Sequence, residues 1–201
     1  MSSNDAGKAA VAAAAAVLVE DGMRVGLGTG STVAHLLPLL VGRKATYVAT
    51  SPRTEEAALA LGLDVRPFDR LDRLDLAIDG ADQVAASRWV VKGGGAAHTR
   101  EKIVAAAADR FVVIVSSDKL VDELHPPIPL ELLAFGIEAT LRAVAPAALR
   151  DAPPSPDGGL IADYQGPVGD PAELAAFLSR TPGVVEHGLF PPEFVSDILV
   201  R

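Results

Sequence analysis

The feature that most constrains the fold is an alternation of short apolar runs with helical segments over the first two-thirds of the chain. Predicted strands lie at 23–27, 46–49, 74–78, 89–91 and 111–115, and predicted helices at 31–41, 54–61 and 99–108. The run 111–115 is apolar throughout, as expected for a strand buried on both faces. This alternation predicts an α/β fold, namely a doubly wound, mostly parallel sheet with helices on both faces.

The pattern changes after Asp122, where several prolines suggest a linker. Further on, a helix is predicted at 131–144, a strand at 160–164, a helix beginning at Asp170 and a strand at 184–189. We therefore expect an α/β catalytic domain over 1–124, to which residues 190–201 return, and a smaller α+β domain over 125–189.

Composition excludes several functional classes. The 201 residues carry a net charge of −8, contain 4% aromatic residues and include no cysteine. Disulfides, thiolate catalysis and zinc–cysteine sites are thus excluded, and no nucleic-acid partner is expected. No apolar run reaches the roughly 18 residues that a membrane helix needs, and the alanine-rich segment 9–19 lies within an ordinary first helix predicted at 5–20. We expect a cytoplasmic protein with no membrane partner.

Small polar residues follow the predicted strands of the first domain. The segments concerned are 26–32, 50–51, 79–82, 92–95 and 116–119. Ligands of open parallel sheets bind beyond the carboxyl ends of the strands. The sequence therefore predicts a small-molecule site formed by these segments.

The first of these segments, GLGTGST, is a candidate phosphate site. Its glycines allow the backbone to approach an anion closely, and the following helix would direct N–H groups at the same place. It lacks the Gly-Lys-Ser/Thr of a Walker motif and the spacing of a dinucleotide fingerprint. A plain glycine turn is the alternative. The candidate ligand-binding residues are Thr29, Gly30, Ser31 and Thr32.

Two acidic residues, Asp79 and Asp82, flank Gly80 and Ala81. Neighbouring carboxylates tend to separate their pKa values, which suits acid–base chemistry. The same pair could bind a divalent metal, or could simply accept backbone hydrogen bonds in a capped turn. The sequence leaves these three readings open.

Lys92 precedes three glycines, Gly93, Gly94 and Gly95, and Glu101 begins the helix that follows. A lysine here could stabilise a developing oxyanion, and Glu101 could act as a base. Alternatively, Glu101 only complements the helix dipole. The four histidines show no metal-ligand spacing, which argues against a metal-dependent hydride shift.

At these motifs the sequence resembles the ribose-5-phosphate isomerase A family. The matching segments are GLGTGST (26–32), the region 50–63, DLAIDGAD (75–82), VKGGGAAHTREKIVA (91–105), FVVIVSSDKLV (111–121) and PGVVEHGLF (182–190). The resemblance implies interconversion of D-ribose 5-phosphate and D-ribulose 5-phosphate through an enediolate, with neither metal nor organic cofactor. It also implies that the protein forms a homodimer or homotetramer. The small molecule that it binds would be a sugar phosphate.

The resemblance implies roles for individual residues. Glu101 would be the base, Asp79 would assist ring opening, and Lys92 would stabilise charge on the sugar oxygens. Residues 29–32 would bind the substrate at its phosphate. The remaining substrate-binding residues would be Gly80, Ala81, Asp82, Gly93, Gly94, Gly95, Lys119 and Lys8.

The sequence departs from the family pattern in a few places. It is short for the family, with 145–156 looking trimmed, His98 replaces an apolar residue, and the stretch after the lysine loop reads Pro129-Leu130-Glu131. None of these differences removes a candidate catalytic residue.

Two alternative functions remain: a related-fold enzyme, either an amino-sugar-phosphate deaminase or a CoA transferase, and a non-catalytic sugar-phosphate sensor. No deaminase-type histidine motif is found, and a sensor would be expected to lack Glu101 or Lys92.

Overall fold

The structure, a computed structural model, describes residues 3–201, and the side chains of all of these except residues 3, 4 and 70. The chain forms two compact units. The first contains the chain up to Ala81, Arg100–Leu120 and Glu193–Arg201, and the second contains Asp82–Thr99 and Val121–Pro192. The predicted domains had placed 82–99 with the first unit. The assignment of a catalytic and a smaller domain stays a prediction.

A six-stranded sheet organises the first unit, with all its strand pairs parallel. Numbered in chain order, its strands are β1 (Arg24–Leu27), β2 (Thr46–Ala49), β3 (Asp64–Val65), β4 (Leu76–Asp79), β7 (Phe111–Val115) and β14 (Val195–Val200). Their spatial order is β14-β7-β4-β1-β2-β3, so β4 and β1 are central neighbours. The predicted α/β class with a mostly parallel sheet is confirmed.

The helices of this α/β architecture are close to those predicted. They are α1 (Ser3–Ala16), α2 (Ser31–Leu36), α3 (Pro52–Ala60) and α4 (His98–Ala106). The predicted helix at 31–41 changes to a 3₁₀ turn at Leu37–Leu40 because Pro38 cannot donate an α-helical hydrogen bond. Two further 3₁₀ turns lie at Phe68–Arg70 and Ser117–Lys119. Among the described residues, no helix is long and apolar enough to cross a membrane.

The core of the first unit packs α1 and α2 against the sheet. Its fully buried side chains include Val11, Leu27, Leu36, Ile78 and Ile114. All five residues of β7 are buried, as its unbroken apolar run predicted. Burial on both faces fixes the strand positions, and these in turn determine where the loops at their carboxyl ends lie.

Antiparallel pairing dominates the second unit. One sheet has the order β10-β11-β9-β12, with strands β9 (Ile128–Leu132), β10 (Ala147–Leu149), β11 (Leu160–Tyr164) and β12 (Val184–His187). It accompanies helices α5 (Ile137–Ala143) and α6 (Pro171–Arg180). A further sheet has the order β13-β6-β5-β8, with β5 (Gln83–Ala85), β6 (Val90–Val91), β8 (Leu120–Val121) and β13 (Leu189–Phe190).

Two sequence-based assignments are wrong. The predicted helix at 131–144 begins only at Ile137, after left-handed Gly136, because its first residues complete the buried strand β9. The predicted strand at 89–91 does not join the parallel sheet. Its residues Val90–Val91 instead pair antiparallel with β5 and β13. Lys92 therefore follows a strand of a different sheet from the one that carries Asp79.

The N-terminus of α6 yields a stability prediction. Asp170 accepts a hydrogen bond from the Ala172 N–H (2.8 Å) and caps this helix, as its position before Pro171 predicted. Asp170→Ala should lower the free energy of unfolding in urea by about 1 kcal/mol. Asp151→Ala, which removes an exposed acid from the same unit, is the control. Equal unfolding midpoints for both variants would contradict the capping role.

Candidate active site

The first part of the candidate site is the carboxylate of Asp79, at the carboxyl end of β4. The residue is only 3% exposed. Its Oδ1 accepts hydrogen bonds from the N–H groups of Thr29 (3.2 Å) and Gly80 (2.7 Å). Thr29 follows β1, the strand beside β4. The carboxylate therefore links the ends of two adjacent parallel strands at the edge where ligands of such sheets bind.

Gly28 provides the space that Asp79 occupies. A Cβ atom on Gly28 would overlap the carboxyl group of Asp79, so no other residue fits here without a shift. The Gly28 carbonyl accepts a hydrogen bond from Thr54 Oγ1 (3.0 Å), and Thr29 and Thr50 are bonded through their hydroxyls (2.9 Å). Thr50 belongs to the segment 50–51 of the predicted small-molecule site, whereas Thr54 is not among the predicted site residues.

The predicted phosphate-binding segment lies against the turn that follows Asp79. Gly30 has a φ of 126°, which favours glycine, and it precedes the first residue of α2. A Cβ on Gly80 would lie 4.0 Å from Thr32. Gly30, Ser31 and Thr32 therefore belong to the same neighbourhood as Asp79 and Gly80. The segment supplies hydroxyl groups and backbone N–H groups, which are the donors that a phosphate accepts from.

Two of the predicted lysines share one neighbourhood at the end of β7. The hydrogen bond from Ser116 holds the pKa of Asp118 below its usual value. Burial opposes this shift, and the charges of Lys119 and Lys8 add to it. Lys119 Nζ lies 3.7 Å from Asp118 Oδ2. The resemblance had assigned both lysines to one pocket, and the structure of this unit places both near Asp118.

Glu101 lies in the first turn of α4 and is 4% exposed. Val104, one turn later on the same helix face, fills the space beside Gly26 of β1. An acid that only complements a helix dipole gains its modest stabilisation at the surface, as exposed Glu55 does in the first turn of α3. Burial of Glu101 therefore favours a chemical role over the dipole interpretation.

The second unit holds Lys92 in a fixed position. Lys92 is 3% exposed, and its Nζ lies 5.6 Å from the centre of the Phe190 ring, within range of a cation–π interaction. Its backbone N–H donates to the Gly188 carbonyl (2.9 Å). Phe190 was not predicted as part of the site. Charged side chains are rarely fully buried, and Lys92 therefore stays a candidate for a residue of the active site.

The glycine loop after Lys92 is held by close contacts. Gly93 has a φ of 115°, and a Cβ there would lie 2.6 Å from Pro129 and 2.8 Å from His98 Nδ1. The Gly94 N–H donates to Asp82 Oδ2 (2.8 Å). Asp82 is exposed, in contrast to Asp79. His98, predicted as an unusual residue for the family, is fully buried against this loop.

Asp79 and Asp82 each accept a hydrogen bond from a backbone N–H, but only the Asp79–Gly80 contact lies within a turn, because Gly94 is 12 residues beyond Asp82. Over residues 3–201, no group of three or more histidine, aspartate or glutamate side chains could hold a metal ion. The candidate groups of the first unit are therefore carboxylates, lysines, hydroxyls and backbone N–H groups. Those of the second unit are a lysine, a carboxylate and the glycine N–H groups.

Comparison with known proteins gives consistent matches. The family model described as ribose 5-phosphate isomerase A (phosphoriboisomerase A) matches residues 46–200. A ribose-5-phosphate isomerase A of Methylorubrum extorquens is 46% identical over 205 residues, covering 91% of this chain and 87% of the relative. The Methanocaldococcus jannaschii enzyme structure has a TM-score of 0.91 at 34% identity, covering 96% of this chain and 93% of that one.

A third relative was solved with a ligand. It is a D-ribose-5-phosphate isomerase in complex with phospho-erythronic acid, with a TM-score of 0.90 and 32% identity, covering 96% of this chain and 93% of that one. Together with the parallel sheet and its polar edge, these matches identify the chain as an isomerase. It belongs to the ribose 5-phosphate isomerase A family. This membership decides against the deaminase, CoA-transferase and sensor interpretations.

The contact between Gly28 and Asp79 yields a prediction that does not depend on activity. Gly28→Ala should lower the free energy of unfolding by about 1–3 kcal/mol, because the new methyl group displaces the carboxyl group. Asp79→Ala removes the overlapping atoms, so Gly28→Ala should cost much less in that background. Urea unfolding of the two single variants and the double variant measures this coupling.

The control for this cycle is Gly26→Ala, whose methyl group would meet Val104 rather than Asp79. Its cost should be the same in the wild-type and Asp79→Ala backgrounds, within the roughly 0.5 kcal/mol expected for independent sites. Additive costs for Gly28→Ala as well would show that the carboxyl group does not occupy this space.

Proposed function

We propose that the chain interconverts D-ribose 5-phosphate and D-ribulose 5-phosphate by metal-free proton transfer through an enediolate, with Glu101 as the base. Family membership supports the reaction, and the burial of Glu101 in the first turn of α4 is the observation that carries the mechanism. A base in a site of restricted solvent access retains its abstracted proton for return to the substrate.

The proposed chemistry moves two protons within the open-chain sugar. Glu101 removes the proton from C2 of the aldose and returns it to C1, while the O2 hydroxyl proton passes to O1. The intermediate carries negative charge on its oxygens, and Lys92 stabilises that charge because its position is fixed over Phe190. Asp79 assists ring opening before this step, with its carboxylate oriented by the Thr29 and Gly80 N–H groups.

The remaining residues bind the substrate in this proposal. Residues 29–32, together with Lys8 and Lys119, bind the phosphate through N–H, hydroxyl and ammonium donors. Asp82 and the loop 93–95 bind sugar hydroxyls. A relative that binds phospho-erythronic acid supports this class of ligand, because that compound also joins a phosphate to a hydroxylated chain. The homodimer or homotetramer and the cytoplasmic location stay predictions.

Glu101→Gln should reduce kcat by about 10²–10⁴-fold, because the amide cannot accept the C2 proton. Formation of ribulose 5-phosphate from ribose 5-phosphate in EDTA, with purified protein, is the measurement. Glu55→Gln, which removes another first-turn acid in the same unit, is the control and should retain full activity. A near-wild-type kcat for Glu101→Gln would disprove the assignment of the base.

Lys92→Met should lower kcat more than it raises KM, because the ammonium charge matters most when the substrate oxygens become negative. Methionine keeps an unbranched side chain over the Phe190 ring. Steady-state kinetics beside Lys44→Met, an exposed lysine of the other unit, gives the comparison. A change in KM alone would make Lys92 a substrate-binding residue only.

A further inference from the structure

Arg150 contacts the glycine loop that follows Lys92, although it lies 57 residues after Gly93 and 56 after Gly94 in the sequence. It directly follows β10, and its Nη1 donates to the carbonyl oxygens of Gly93 (3.0 Å) and Gly94 (3.5 Å). Neither the isomerase motifs nor the proposed mechanism includes this residue. All the groups concerned belong to the second unit.

Asp163, on β11, holds the other edge of the Arg150 guanidinium group. Arg150 Nε donates to Asp163 Oδ2 (3.0 Å), and Nη2 donates to Oδ1. The two side chains are only 22% and 18% exposed. The hydrogen bond to Asp163 raises the pKa of Arg150, burial opposes this rise, and the charges of Asp163 and Asp82 add to it. A bidentate pair of this kind fixes orientation as well as position.

The orientation of the loop peptides follows from these contacts. In a trans peptide the C=O and the following N–H point in opposite directions, and neither peptide of this loop is cis. The Gly93 carbonyl faces Arg150, and the Gly94 N–H accordingly points away and donates to Asp82. The Gly94 carbonyl also faces Arg150, so the Gly95 N–H of the same peptide points away from Arg150, toward the side on which Asp82 lies.

We propose that Arg150 is a positioning residue, which fixes the glycine loop so that the Gly95 N–H and the Asp82 carboxylate face the substrate together. The identity of that substrate rests on the proposed function. Three successive glycines have unusually wide conformational freedom, and the loop therefore needs partners outside itself to keep one conformation. Arg150 holds its carbonyl side, and Asp82 holds its N–H side.

The main test is Arg150→Lys, which keeps the charge but loses the planar fork. We expect kcat/KM for ribose 5-phosphate to fall about 10–100-fold, the range typical for losing an outer partner of a site. We also expect the amide NMR signals of Gly94 and Gly95 to shift. Arg110→Lys, which alters the Arg110–Asp197 pair of the first unit, is the matched control and should change neither.

Asp163→Asn is the second variant, and it keeps Arg150 while removing its charged partner. It should reduce kcat/KM by a smaller factor than Arg150→Lys does. The double variant should have the same kcat/KM as Arg150→Lys alone, because the two residues act as one unit. If Arg150→Lys does not fold, Asp163→Asn alone decides. Unchanged kcat/KM and unchanged Gly94 and Gly95 signals in a folded variant would overturn the proposal.

These outcomes are distinct from failure of the proposed function. If the wild-type protein does not convert ribose 5-phosphate, the proposed function is wrong, and the shifts of the glycine amide signals still decide whether Arg150 orders the loop. If the wild type is active and Arg150→Lys is folded and equally active, only the role of Arg150 is wrong.

Discussion

The contact between Asp79 and Gly28 is the constraint on which the parallel sheet's functional edge depends. A buried carboxylate needs hydrogen-bond donors, and Thr29 and Gly80 supply them from the ends of two adjacent strands. Those donors reach the carboxylate only because position 28 lacks a side chain. The conformation of the loop after β1 and that of the turn after β4 are therefore set together. The glycine at 28 is thus required by close approach, which a sequence reading cannot distinguish from a glycine needed for a turn.

Much of the first unit could be predicted because its information is local. Buried parallel strands are continuous apolar runs, and the helices between them have recognisable ends, so 46–49 and 111–115 are predicted to the residue. The segment 131–144 is different. Its strand residues Glu131 and Leu132 are buried by partners far away in sequence, and no local pattern reveals this. The same applies to β6, whose neighbours β5 and β13 determine its sheet.

The residues of the candidate site likewise fall into those that local motifs predict and those that only long-range contacts reveal. Motifs of consecutive residues predict Asp79, Lys92, the glycines 93–95 and Glu101 as site residues, because the motifs that contain them match the family in this order. Of the side chains that hold these segments, only Thr50 lies in a segment of the predicted site. Thr50 and Thr54 support the loop after β1, Phe190 supports Lys92, and Arg150 supports the glycine loop. Each of these contacts joins residues more than 20 positions apart, and none has a spacing that sequence alone could reveal.

The glycine-rich segments of the two units, each taken by itself, obtain rigidity by different contacts. The segment after β1 is short, and it is restricted by close contact with the Asp79 carboxyl group and by hydrogen bonds with Asp79, Thr50 and Thr54. In the loop at 93–95, Gly93 is buried against Pro129 and His98, whereas Gly94 and Gly95 are exposed and Gly94 lies against the Asp82 carboxylate. Its exposed peptides can be ordered only by hydrogen bonds, and a cation on the carbonyl side also polarises the N–H groups on the opposite side. A partly buried guanidinium–carboxylate pair beside an exposed glycine loop is therefore better explained by control of those N–H groups than by stability, to which such ion pairs contribute little net free energy.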